Sequence, residues 1–117
     1  IKKENGRLFN LESLNQFTQN DPNALRMIIE NFVESTKENC EILKLNTMAM
    51  NQKEMADIAH KMIPMLKQME AFSISSMLEP IEDGTLGYEK MEMLAYVDTI
   101  CDRIDDLVVR LKLEVQQ

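Results

Sequence analysis

The chain is 117 residues long, enough for one domain and too short for two of ordinary size. Apolar residues make up 44% and charged residues 28%, with only three Gly and three Pro, so a folded domain is expected and disorder or collagen-like structure is excluded. Thirteen Lys and Arg against twenty Asp and Glu leave a net charge of −7, which argues against a nucleic-acid footprint.

No apolar run approaches the roughly 18 residues of a membrane span, and Ile1-Lys2-Lys3-Glu4-Asn5 leads into no signal-peptide core, so no membrane contact is expected. Opening on Ile1, the chain reads as a segment of something longer, with residues 1–8 a linker remnant and 1–117 one domain. Cys40 and Cys101 form no C-x-x-C pair and fall on apolar helical stripes, where Cys acts as a small buried hydrophobe; a reduced, cytoplasmic setting fits.

A short helix is expected from Leu11 to about Thr18, capped by Asn10. After Gln19-Asn20-Asp21-Pro22 a second helix starts, with Asp21 accepting first-turn N–H groups and Pro22 placed where no N–H is needed. Its apolar side carries Leu25, Ile28, Ile29, Phe32, Val33, Thr36, Cys40 and Leu43, and it fades between Asn46 and Met50. Asn51 reads as the cap of a third helix, with Glu54 as its capping-box partner and a stripe of Met55, Ile58, Ala59, Met62, Leu66 and Met69.

Phe72 and Ser73 end this helix or bend it into a fourth bearing Ile74, Met77, Leu78 and Ile81. Glu82-Asp83-Gly84-Thr85-Leu86-Gly87 reads as a loop. A long fifth helix follows, with Leu94, Val97, Cys101, Ile104, Val108, Leu111 and Val115 spaced by three and four. Strand signals are nearly absent. Four long amphipathic helices on short loops bury their stripes together as an antiparallel up-and-down four-helix bundle, with the short N-terminal helix added; a coiled coil through the fifth helix is the competing arrangement.

The chain has a single histidine, His60. At about 100° per residue from Met62, it falls at about 160°, opposite the apolar stripe. Lys53, Ala56, Pro64, Lys67 and Ala71 share its side, so the imidazole is expected in solvent amid lysines and small residues. Pro64 has no N–H for the His60 carbonyl and predicts a local kink. An exposed histidine is ordinarily just surface, and lysines on a helix are ordinarily a solvated face.

Nucleophilic enzymes need a base with a reacting partner, and no Ser or Cys shares the His60 face within two turns. Asp57-Ile58-Ala59-His60 has carboxylate-x-x-His spacing, but a di-iron bundle needs two such motifs facing inward, so no metal site is expected. An exposed imidazole fits a phosphoryl carrier. A typical imidazole has a pKa of about 6.5, so at neutral pH much of such a group is neutral and can attack phosphorus. Nearby lysines attract phosphoryl oxygens, and a partner's active site supplies the remaining catalysis.

Ala59-His60-Lys61-Met62 in the third helix, with Phe32-Val33-Glu34-Ser35-Thr36 upstream and Met69-Glu70-Ala71-Phe72 downstream, resembles the histidine-containing phosphotransfer (HPt) domain of multistep two-component signalling. The likeness runs from about Phe9 to the end. It implies that His60 is the phosphoacceptor and exchanges phosphate with an aspartate on a receiver domain of a response regulator or hybrid sensor kinase. The Mg²⁺ would belong to that receiver, and this domain would need no cofactor and have no autonomous catalysis, though the parent chain could be a histidine kinase. A monomer is the simplest expectation.

Where the family commonly has Lys and Gly three and four residues after the histidine, this chain has Ile63 and Pro64, and a Gly some ten residues on is Glu70. The resemblance then leaves phosphate support to Lys67 or Lys61, and receiver docking to Ala56, Ile63, Pro64 and Ala71. The competing function is an adaptor bundle that binds a partner without phosphate.

Overall fold

The computed structural model describes residues 8–116, all of whose regular structure is helical. The five helices are α1 (Glu12–Phe17), α2 (Pro22–Met48), α3 (Gln52–Gln68), α4 (Phe72–Asp83) and α5 (Lys90–Gln116). The expected linker, residues 1–8, lies outside the described residues except for Leu8, which with Phe9 packs against the core.

Side chains capture free N–H groups at the starts of α2 and α3, as the sequence predicts, whereas α1 takes Leu11 and not the expected Asn10 at its cap position. Asn10 Oδ1 accepts from the Glu12 N–H at 2.8 Å. Asp21 Oδ1 accepts from Asn23 at 3.0 Å and Ala24 at 3.5 Å, and Pro22 follows at the first helical position. Asn51 Oδ1 accepts from Glu54 at 3.3 Å. The expected reciprocal half of that capping box does not form, because the Asn51 N–H donates to the Asn46 carbonyl at 2.9 Å. Glu92 accepts from the Glu89 N–H at 3.1 Å and closes the start of α5.

Four helix ends share one device. Gln19, Met50, Glu70 and Gly84 adopt left-handed backbone with φ of 55°, 52°, 54° and 68°. After α3, the Ala71 N–H reaches the Leu66 carbonyl and the Glu70 N–H the Lys67 carbonyl, both at 2.9 Å. That paired pattern lets a chain reverse sharply while its last carbonyls stay bonded. Three of the four left-handed positions carry a side chain, at a cost near 1 kcal/mol each relative to an unstrained residue. Glu70→Gly is therefore expected to stabilise the domain by about 0.5 kcal/mol, the relief being offset by glycine's greater unfolded freedom and a lost surface bond from Ser13 Oγ (3.0 Å). The gain should be larger in a Ser13→Ala background, read as a shift in denaturant midpoint.

Gly84 ends α4 two residues later than the sequence reading has it. Glu82 and Asp83 are helical, and the loop is confined to residues 84–89. The helix interior tolerates Pro80 there, as α3 tolerates Pro64.

α2 packs against α3 and α5, and α4 packs against the same two helices, so the contacts close into a ring. Each long helix has two neighbours, which widens its buried arc beyond the narrow stripe read from spacing. α5 buries Met93, Ile100 and Leu107 beside the expected Val97, Cys101, Ile104 and Leu111. α2 adds Asn39 and Thr47. Thr47 Oγ1 donates to the Leu43 carbonyl at 2.7 Å, so this hydroxyl is buried without an unmet bond. α1 lies on the turn between α3 and α4, where Asn10 N–H donates to the Met69 carbonyl at 3.0 Å and Leu11 and Leu14 are buried. No described helix is long and apolar enough to cross a membrane.

Candidate functional site around His60

α3 sets the direction of His60 by what it buries. Met55, Ile58, Ala59, Met62, Ile63 and Leu66 face α2 and α4, and the imidazole points the other way with its side chain 77% exposed. The next helix supplies its partner. Glu82, in the last turn of α4, places Oε2 2.5 Å from His60 Nδ1. An ionised carboxylate only accepts, so in the neutral ring Nδ1 donates the proton and Nε2 keeps the lone pair. No hydrogen bond reaches Nε2 among the described residues. The result is an accessible imidazole nitrogen on a ring held from behind, supported by two packed helices.

The charges around the ring are mixed where the sequence reading expects a basic patch. Lys53 is paired with Asp57 at 3.0 Å, and Lys67 Nζ lies 3.9 Å from Glu79 on α4. These pairs are exposed and hold their partners weakly. Lys61 is exposed and has no ion pair among the described residues. The basic character seen along α3 alone is thus offset by Glu79 and Glu82 from α4, which a helical wheel of one helix does not contain.

Of the residues expected to form a docking surface, Pro64 is exposed and Ala56 half-buried, the latter lining a shallow cleft with Met55, Pro80, Ile81, Glu82 and Leu86. Ile63 and Ala71 are corrected. Ile63 is 7% exposed because it sits at the edge of an arc that two neighbouring helices cover. Ala71 is fully buried because the helical phase ends at Gln68 and the left-handed Glu70 redirects the chain before it. Neither offers a side chain to an approaching partner.

Glu82 is the site residue that sequence reasoning missed, having placed it in a loop. One signal was available. In two antiparallel helices joined by a tight turn, residues about equally distant from the turn are neighbours, and Glu82 lies about as far beyond Met69-Glu70-Ala71 as His60 lies before it.

Comparisons with models of known protein families, with curated proteins and with solved structures find no match to this chain.

Proposed function

We propose that this chain is a phosphorelay carrier, an HPt-like up-and-down four-helix bundle with an extra N-terminal helix that accepts and donates a phosphoryl group on His60. The observation that carries the reading is the His60–Glu82 contact at Nδ1, which orients an exposed imidazole on a helix pair so that Nε2 carries the lone pair in the neutral ring. A solvated surface histidine needs no carboxylate behind it, whereas a nucleophile benefits from a fixed tautomer and orientation.

The partner is a receiver domain bearing an aspartyl phosphate and its own Mg²⁺. Nε2 attacks the phosphorus in line with the departing aspartate oxygen. The P–N bond forms, the P–O bond to the aspartate breaks, and the carboxylate leaves with its electron pair. The imidazole becomes cationic and keeps its Nδ1 proton against Glu82, so the carboxylate stabilises charge that develops during transfer. The reverse sequence returns the phosphoryl group. Lys61 and Lys67 are within one to two turns of His60 and draw the phosphoryl oxygens, while Pro64 and Ala56 present little bulk to the incoming receiver.

The test is incorporation of acid-labile, base-stable phosphate from phosphorylated receivers and Mg²⁺. Label is expected on the wild type, and its absence across a broad receiver panel would overturn the reading in favour of an adaptor bundle. Lys61→Ala and Lys67→Ala should each slow transfer by about two- to fivefold, the size expected of exposed charges. Both effects should shrink as salt is raised from ~50 mM to ~500 mM. Wild-type rates in both variants would remove the lysines from the mechanism.

A further inference from the structure

The interface between α2 and α5, across the ring from the α3–α4 contact, brings the two cysteines together. Near the start of α2, Arg26 Nη2 donates to the Val115 carbonyl near the end of α5 at 3.2 Å, which fixes the two helices as antiparallel in one register. Cys40 lies fourteen residues on from Arg26, and Cys101 lies fourteen residues back from Val115, so that register sets the cysteines level. Both are buried in the core, 8% and 2% exposed. Both are free thiols.

That placement couples the two thiols, so that each changes how readily the other ionises. The neighbouring Cys40 lowers the Cys101 thiol from its ordinary range, with Lys44 assisting against burial, and Cys101 together with burial pushes Cys40 up. One sulfur is thus prepared to react first while its neighbour stays protonated beside it. Two cysteines serving only as small core residues need no shared register across the helix interface.

We propose that Cys40 and Cys101 are a peroxide-oxidisable pair that closes a disulfide between α2 and α5. Hydrogen peroxide is a small neutral oxidant able to enter through local opening of a helix interface that excludes a bulky disulfide such as oxidised glutathione. The Cys101 sulfur attacks one peroxide oxygen, the O–O bond breaks, and hydroxide leaves and takes up a proton as water. Cys101 is then a sulfenic acid. The Cys40 sulfur attacks the Cys101 sulfur, the S–O bond breaks, and the hydroxide released takes the Cys40 proton as a second water. Two thiols are oxidised by two electrons and one peroxide is reduced to two waters. The product ties two 27-residue helices together, closes a loop of about half the chain and restricts the unfolded state.

The experiment treats the reduced, folded chain with stoichiometric hydrogen peroxide, quenches with catalase, blocks remaining thiols in denaturant with N-ethylmaleimide, and maps peptides by mass. The expected result is one peptide pair joined through Cys40 and Cys101, two hydrogens lighter than the free thiols and released by dithiothreitol. The chain should stay monomeric on a non-reducing gel and unfold at higher temperature. Oxygen added at exposed Met27, Met48 or Met91 changes other peptides and does not enter this readout.

Cys40→Ala, confirmed helical by circular dichroism, should leave Cys101 as a sulfenic acid that dimedone traps, and Cys101→Ala should leave Cys40 unreacted. Both wild-type thiols recovered as maleimide adducts, or cross-links found only between chains, would overturn the pair. Dimedone labelling of Cys40 but not Cys101 would overturn the assigned order of attack.

Discussion

His60→Gln is expected to abolish phosphoryl acceptance while leaving helicity and thermal midpoint within experimental error of wild type. The first half follows from chemistry. Glutamine offers an amide nitrogen whose lone pair is delocalised, and no other side chain on the exposed face of α3 can form a phosphoramidate at neutral pH with comparable ease. The second half follows from geometry, since the His60 side chain is 77% exposed and its one polar contact is to a partly exposed carboxylate. Exposed substitutions of this kind change stability by about 0.5 kcal/mol or less. The measurement pairs acid-labile label from phosphorylated receivers with circular dichroism on the same samples. Label on the variant would mean the acceptor lies elsewhere. Loss of label together with loss of fold would show that His60 acts through the core, contrary to its placement. Retained fold with lost label is the outcome that separates a carrier from an adaptor, which has no reason to depend on an imidazole.

Much of the fold was legible because its signals are local. Asp21 and Asn51 announce helix starts through side chains that reach two or three residues along the chain, and they cap in the structure as read. The stripe on α3 was legible for the same reason, and every residue named in it is buried. Helix ends were harder. Glycine is the ordinary mark of a left-handed terminus, but Gln19, Met50 and Glu70 take that conformation here and only Gly84 advertises it. The placement of Ala71 failed for that reason, since a wheel carried past Glu70 continues a helix that has already stopped. Ile63 failed for a different one, because spacing shows where an apolar face is centred and not how far two neighbouring helices cover it.

The site divides along the same line. The exposure of His60 follows from the phase of its own helix and could be read from spacing. Its carboxylate partner comes from another helix, 22 residues away, and enters only when α3 and α4 are packed in register. The two cysteines are a further case, each legible as a core residue and neither as the other's neighbour. Contacts between elements are what a single sequence conceals most thoroughly.

Glu82→Ala is expected to slow phosphoryl acceptance by about tenfold, with Glu82→Gln slowing it by about threefold. Removing the carboxylate takes away a charge-assisted hydrogen bond, which contributes about 1.5–3 kcal/mol where it is shielded and less at a site this open to water. A loss near 1.4 kcal/mol corresponds to tenfold in rate. Part of that loss comes from the tautomer: with no acceptor at Nδ1, the neutral ring is free to place its proton on Nε2, where it blocks attack on phosphorus. The rest comes from the cation that forms as the P–N bond develops, which Glu82 faces directly. Glutamine keeps an oxygen to accept from Nδ1 but brings no negative charge, so it separates orientation from electrostatics. Nitrogen-15 spectra of the His60 ring supply a readout that general destabilisation would not mimic. The wild type and Glu82→Gln should show Nδ1 protonated and Nε2 bare at alkaline pH, and Glu82→Ala a mixture. Rates equal to wild type in Glu82→Ala, or a ring spectrum unchanged by it, would reduce Glu82 to a surface contact and leave the nucleophile without its orienting group.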